Sequence, residues 1–138
     1  MNTTELWAIV NNAGIAHVTE MEWCSMENLQ RLLDVNTVGP ARVTKTFLPL
    51  LRRAQGRIVI VASTAGIKED EIEWRKPNEI LQLIKSLGRI VLPSMVPYSM
   101  SKFAAVALGE GLRREMKKWS VTVHTIEPSF YKFVKISV

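Results

Sequence analysis

Cysteine is nearly absent: Cys24 is the single one in 138 residues. No internal disulfide can form, and a reducing compartment is the simpler setting. Histidine is almost as scarce. His17 and His124 lie too far apart for a metal-ligand spacing, so no metal site is expected. No apolar run approaches the roughly 18 residues that cross a bilayer. The opening Met1-Asn2-Thr3-Thr4-Glu5 is polar and lacks the basic-then-apolar pattern of a secretory signal. Acids are outnumbered, 13 against 18 bases, for a net charge of +5. The bases come as scattered pairs, Arg52-Arg53, Arg113-Arg114 and Lys117-Lys118, with acids interleaved as in Lys68-Glu69-Asp70-Glu71. That pattern describes solvated helix faces rather than a phosphate-tracking stripe, and no nucleic-acid partner is expected.

What is present is a globular composition, 47% hydrophobic and 22% charged, long enough for one small domain over 1–138. Leu6-Trp7-Ala8-Ile9-Val10 is a short continuous apolar run closed by Asn11-Asn12-Ala13-Gly14. It reads as a strand buried on both faces, followed by a turn. Ser25 can cap a helix running from about Met26 to Leu51. Gly39-Pro40 falls inside that helix. Proline removes the donor for the Asn36 carbonyl and clashes with it, so either two helices meet there or one kinks. A freed carbonyl needs a water or a ligand.

Gln55-Gly56 marks a turn, and Arg57 to Ala62 is a second strand rich in β-branched residues, ending at Ser63-Thr64-Ala65-Gly66. Pro97 opens a helix reaching about Trp119. Val121 to Ile126 is a third strand, closed by Glu127-Pro128. Residues 67–88 interrupt this order. They hold a mixed-charge stretch and then an amphipathic stripe, Ile80, Leu81, Leu83, Ile84 and Leu87, that reads as an inserted helix ended by Gly88.

The expected fold is therefore α/β: a partial Rossmann-like, doubly wound parallel sheet with a β-α-β-α-β core and an inserted helix. Ligands in such sheets bind beyond the carboxyl ends of the strands. Asn11 to Gly14, Ser63 to Gly66, Pro128 and the helix start at Tyr98 all fall on that rim. Tyr98 and Lys102, four residues apart on one helical face, place a phenol beside an ammonium. A fixed cation favours phenolate, which would give a proton donor or acceptor usable near neutral pH. The pair also fits an ordinary exposed lysine beside a half-buried tyrosine. Likewise, Ser63 also suits a cap of its turn, Asn36 a polar residue tied to local backbone, and Asn11-Asn12 a plain strand end. The four tryptophans, Trp7, Trp23, Trp74 and Trp119, read as packing residues.

In combination, Asn11-Asn12-Ala13-Gly14, Asn36 within Asp34-Val35-Asn36, Ser63 before Gly66, and Tyr98 with Lys102 resemble the short-chain dehydrogenase/reductase family. Thr44 to Leu51 and Gly56-Arg57-Ile58-Val59 resemble its branch acting on retinols, 17β-hydroxysteroids and 3-hydroxybutyrate. The resemblance implies NAD or NADP as cofactor and a small lipidic alcohol or ketone as substrate. It implies that Tyr98 exchanges the substrate proton, that Lys102 tunes Tyr98 and holds the nicotinamide ribose, and that Ser63 binds the reacting oxygen. Through its main-chain carbonyl, Asn36 would hold a water relaying protons to Lys102. Asn12, Ala13, Gly14 and Pro128 would line the cofactor. Helices at about 26–51 and 97–119 would pair with a second copy in a homo-oligomer. Location would be intracellular, at the endoplasmic reticulum membrane or in a mitochondrion.

The sequence departs from that pattern in three places. No Gly-rich turn precedes Leu6, Ser129 follows Pro128 where glycine is usual, and the gap between Ser63 and Tyr98 is long. The expectation is a chain truncated at both ends, with impaired dinucleotide binding and an exposed apolar edge at its first strand. The rival expectation is a non-catalytic module that pairs with full-length relatives through the two long helices.

Overall fold

The computed structural model describes residues 5–63, 91 and 93–128. The expected insertion at 67–88 lies outside the described residues. Three strands form one parallel sheet in the order β1 (Ala8–Asn11), β2 (Arg57–Val61), β3 (Thr122–Ile126). Between β1 and β2 the chain forms α1 (Met26–Leu33), a π-helical turn (Asp34–Val38) and α2 (Gly39–Ala54). α3 (Val96–Met116) precedes β3 and ends in a 3-10 turn over Lys117–Trp119. The first strand starts two residues later than its apolar run.

The local chemistry explains the boundaries. Ser25 Oγ accepts from the Asn28 N–H at 3.1 Å, capping α1 as its position predicts. The predicted break at Gly39-Pro40 is neither a gap between helices nor a simple kink. The Gly39 N–H reaches back five residues to the Asp34 carbonyl, so the turn before Pro40 widens and the helix passes through. α2 closes with Gln55 in the left-handed region (φ 49°), and the Gly56 N–H bonds to the Leu51 carbonyl at 2.9 Å. A Cβ at position 56 would overlap the Trp7 carbonyl, so glycine is required there.

Both long helices pack on the same face of the sheet, as two successive crossovers of one hand require. Leu51 from α2 and Ala105, Leu112 and Met116 from α3 bury against Ile58, Ile60, Val121 and Val123 in one core. The residues of opposite parity, Val10 on β1 and Ile126 on β3, are 63% and 50% exposed, and Val59 and Val61 are half-buried. This corrects the expectation of a first strand buried on both faces. A continuous apolar run records strand composition, but among the described residues only one face is covered. Among the described residues β1 is an outer strand of the sheet, and Val10 lies exposed on its uncovered face.

α3 approaches the sheet closely at Gly109. A Cβ there would overlap Thr125 Oγ1 and sit 3.6 Å from Ile60 Cδ1. A Cβ at Gly111, two residues on, meets nothing within 4 Å. Gly109→Ala should therefore cost about 1–3 kcal/mol through overpacking, whereas Gly111→Ala should gain about 0.5–1 kcal/mol in helix propensity. Urea denaturation of the two variants checks this. Equal stabilities would contradict the close approach.

Candidate active site

The carboxyl ends of the strands carry the expected residues. Asn12, Ala13 and Gly14 follow β1 and are exposed, Ser63 follows β2 half-buried, and Pro128 follows β3 half-buried. Tyr98 and Lys102 occupy the first two turns of α3, with Pro97 near its start.

Lys102 is the organising charge. It is 7% exposed, and a Cβ built on Gly14 would lie 3.2 Å from its Nζ and 3.4 Å from Asn36 Oδ1. The ammonium thus rests against the Gly14 backbone, an approach that any side chain at position 14 would crowd. The same Nζ stands 5.7 Å from the centroid of the Tyr98 ring, inside cation–π range. Burial lowers the Lys102 pKa from the ordinary lysine value, because desolvation penalises the charged form.

Asn36 fixes this geometry. It is 2% exposed and lies in the widened π-helical turn. Its Oδ1 accepts from the Ile15 N–H, and its Nδ2 donates to the Ile15 carbonyl and to Ser101 Oγ, each at 2.9 Å. Ser101 Oγ in turn donates to the Tyr98 carbonyl at 2.7 Å, and Thr37 Oγ1 donates to the Ser101 carbonyl at 2.9 Å. The turn after β1, the π-helical turn and the first turns of α3 are thereby bonded into one unit. A second polar tie, Asn11 Nδ2 to Thr44 Oγ1 at 3.0 Å, anchors the end of β1 to α2.

The structure brings together Gly14, Asn36, Tyr98 and Lys102. The sequence reading gave Asn36 a main-chain carbonyl role or a tie to local backbone, whereas its side chain bonds Ile15 and Ser101, 21 and 65 positions away. Ser101, Thr37 and Thr44 were missed altogether.

The family model described as short chain dehydrogenase matches residues 1–75 and 71–136, and the chain belongs to that family. It is 38% identical over 123 residues to the mitochondrial D-beta-hydroxybutyrate dehydrogenase of Rattus norvegicus, covering 89% of this chain and 29% of that protein. It is 35% identical over 133 residues to retinol dehydrogenase 16 of Rattus norvegicus, covering 96% and 35%. The chain thus spans about a third of the length of these curated relatives. Among solved structures, a short-chain dehydrogenase from Streptomyces avermitilis superposes with TM-score 0.75 at 24% identity, covering 97% of this chain and 42% of that one. One from Burkholderia cenocepacia, in complex with NADP, gives TM-score 0.71 at 26% identity, covering 92% and 46%.

Two outcomes follow. Asn36→Ala leaves the Ile15 N–H and carbonyl unpaired and should cost about 2–3 kcal/mol in chemical denaturation; a loss within error of zero would contradict the clamp. Lys102 has a folded-state pKa below its unfolded value, so the unfolded chain binds its proton more tightly. The protein therefore gains stability as pH rises from that lowered pKa towards about 10.5. Lys102→Met should stabilise the fold near neutral pH, and this advantage should shrink in melts taken at successively higher pH. An advantage that is constant or grows with pH would contradict the burial account.

Proposed function

We infer that this rim is the proton-handling and nicotinamide-facing part of an NAD(P)-dependent dehydrogenase acting on a small lipidic alcohol or ketone. The observation that carries the reading is the Lys102 ammonium held between the exposed Gly14 backbone and the Tyr98 ring. The residues fit a nicotinamide nucleoside. Asn12, Ala13 and Gly14 offer an open backbone floor, and Gly14 leaves no side chain between a ligand and the ammonium. Gly14 and Lys102 would hold the ribose, with Asn12, Ala13 and Pro128 lining the remainder. When bound, the nicotinamide supplies hydride exchange with the carbinol carbon.

The chain's own residues handle position and protons. The Tyr98 phenol donates a proton to the substrate oxygen in reduction and accepts it in oxidation. Lys102 places positive charge beside that phenol, 5.7 Å from its ring centroid. Ser63 hydrogen-bonds the reacting oxygen. Pro40 has no N–H to give the Asn36 carbonyl, which would hold a water leading protons towards Lys102. The lipidic substrate class rests on likeness to relatives named for hydroxybutyrate, retinol and, at 38% identity, 17-beta-hydroxysteroid (from Bos taurus). The exposed stripe Val43, Phe47 and Leu50 on α2 supports pairing of the long helices with a second copy. An intracellular setting accords with the mitochondrial relatives.

Titrating the isotope-labelled chain with NADH and with NADPH, followed by NMR, tests the site and the impaired affinity together. Shifts should concentrate at residues 12–15 and 98–102, with a dissociation constant weaker than micromolar. Binding of micromolar strength would overturn the impairment, and an unperturbed rim at saturating ligand would overturn the site. Tyr98→Phe should lower any alcohol-dependent reduction of the dinucleotide by roughly 100-fold or more, with the fold intact by circular dichroism. Unchanged turnover would remove Tyr98 from the chemistry.

A further inference from the structure

The rim opposite the candidate site, at the amino ends of the strands, has a composition that the dehydrogenase chemistry does not use. Trp7 enters β1 and is 62% exposed, and Trp119 precedes β3 and is 44% exposed. Each indole carries a guanidinium: Arg57 stands 3.9 Å from the Trp7 ring centroid, and Arg52 stands 4.7 Å from that of Trp119. The two stacks belong to one surface. The Arg57 N–H bonds to the Trp7 carbonyl at 2.9 Å, the Thr122 N–H bonds to the Gly56 carbonyl at 3.1 Å, and Ala8, Arg57 and Thr122 share one register row.

Arg53, Lys117 and Lys118, all exposed, extend the positive charge at the carboxyl ends of α2 and α3. Glu5 before Trp7 and Glu115 in the last turn of α3 are the acids closest to it in sequence. Helix dipoles alone favour cations at those two helix ends. They do not account for two indoles left exposed beneath arginines, since an amphipathic ring gains most where an apolar medium meets a charged aqueous one.

We propose that this rim docks on an anionic phospholipid surface, with the Tyr98–Lys102 rim turned towards water. The guanidinium and ammonium groups meet lipid phosphates and carboxylates, and the indoles settle at headgroup depth. Charge complementarity selects the occupant, because juxtamembrane basic clusters are drawn to anionic leaflets within a Debye length. The proposal is independent of the substrate and of dinucleotide affinity.

Sedimentation of the whole chain with phosphatidylcholine vesicles, with and without phosphatidylserine, tests it. Binding should be at least ~10-fold stronger with phosphatidylserine and should weaken as salt rises. The triple reversal Arg53→Glu/Lys117→Glu/Lys118→Glu should abolish that preference, while Arg42→Glu/Lys45→Glu on exposed positions of α2 should not. A lipid-borne quencher should reduce tryptophan fluorescence in the native chain, and much less in Trp7→Phe/Trp119→Phe/Trp74→Phe, which retains only the exposed Trp23 beyond the carboxyl end of β1. Circular dichroism confirms folding of each variant. Equal binding to both vesicle types, equal loss in both charge reversals, undiminished quenching without Trp7 and Trp119, or preferential capture by duplex DNA or an acidic peptide at matched salt would each overturn the proposal.

Discussion

The bonds made by one buried asparagine hold the candidate site together. Asn36 satisfies both main-chain groups of Ile15 and donates to Ser101. A separate backbone bond, Thr19 N–H to the Ser94 carbonyl at 2.8 Å, joins the same two segments further from the site. With the Asn36 bonds, the backbone at Gly14 is fixed against the Lys102 ammonium, and Lys102 is fixed beside Tyr98. A buried polar network of this kind is stabilising only when each member is paired, and here one side chain uses both its amide hydrogens and its carbonyl. The π-helical turn makes this possible. The missing donor at Pro40 widens the helix by one residue where Asn36 must face inward.

A second constraint is the one-sided sheet. Both crossovers place their helices on the face bearing Ile58, Ile60 and Val123, which leaves Val10 and Ile126 exposed on the other. Parallel strands are usually covered on both faces.

Much of this was legible in the sequence. The strands, the Ser25 cap, the turn at Gln55-Gly56 and the helix opening near Pro97 rest on local chemistry, which periodicity and capping rules read directly. The site rim followed from topology, since strand ends in a parallel sheet share one side. The Asn36 clamp was not legible, because its partners Ile15 and Ser101 are 21 and 65 positions away and no local pattern links them. Pro40 signalled a disturbance correctly. Its form, a widened turn beginning at Asp34, depends on the hydrogen bond that Gly39 finds five residues back. The cover on β1 was misread, because an apolar run reports what a strand can bury rather than what lies over it.

Burial beneath Gly14, enforced by Asn36, lowers the proton affinity of Lys102. The most direct measurement is the titration of the Lys102 Nζ, followed through the lysine Cε resonance by NMR in the native chain and in Asn36→Ala. The account predicts a pKa below that of an ordinary lysine in the native chain, moving back towards the ordinary value when the clamp is removed. A Lys102 that titrates as a solvent-exposed lysine in the native chain, or a lowered pKa that Asn36→Ala leaves unchanged, would contradict it.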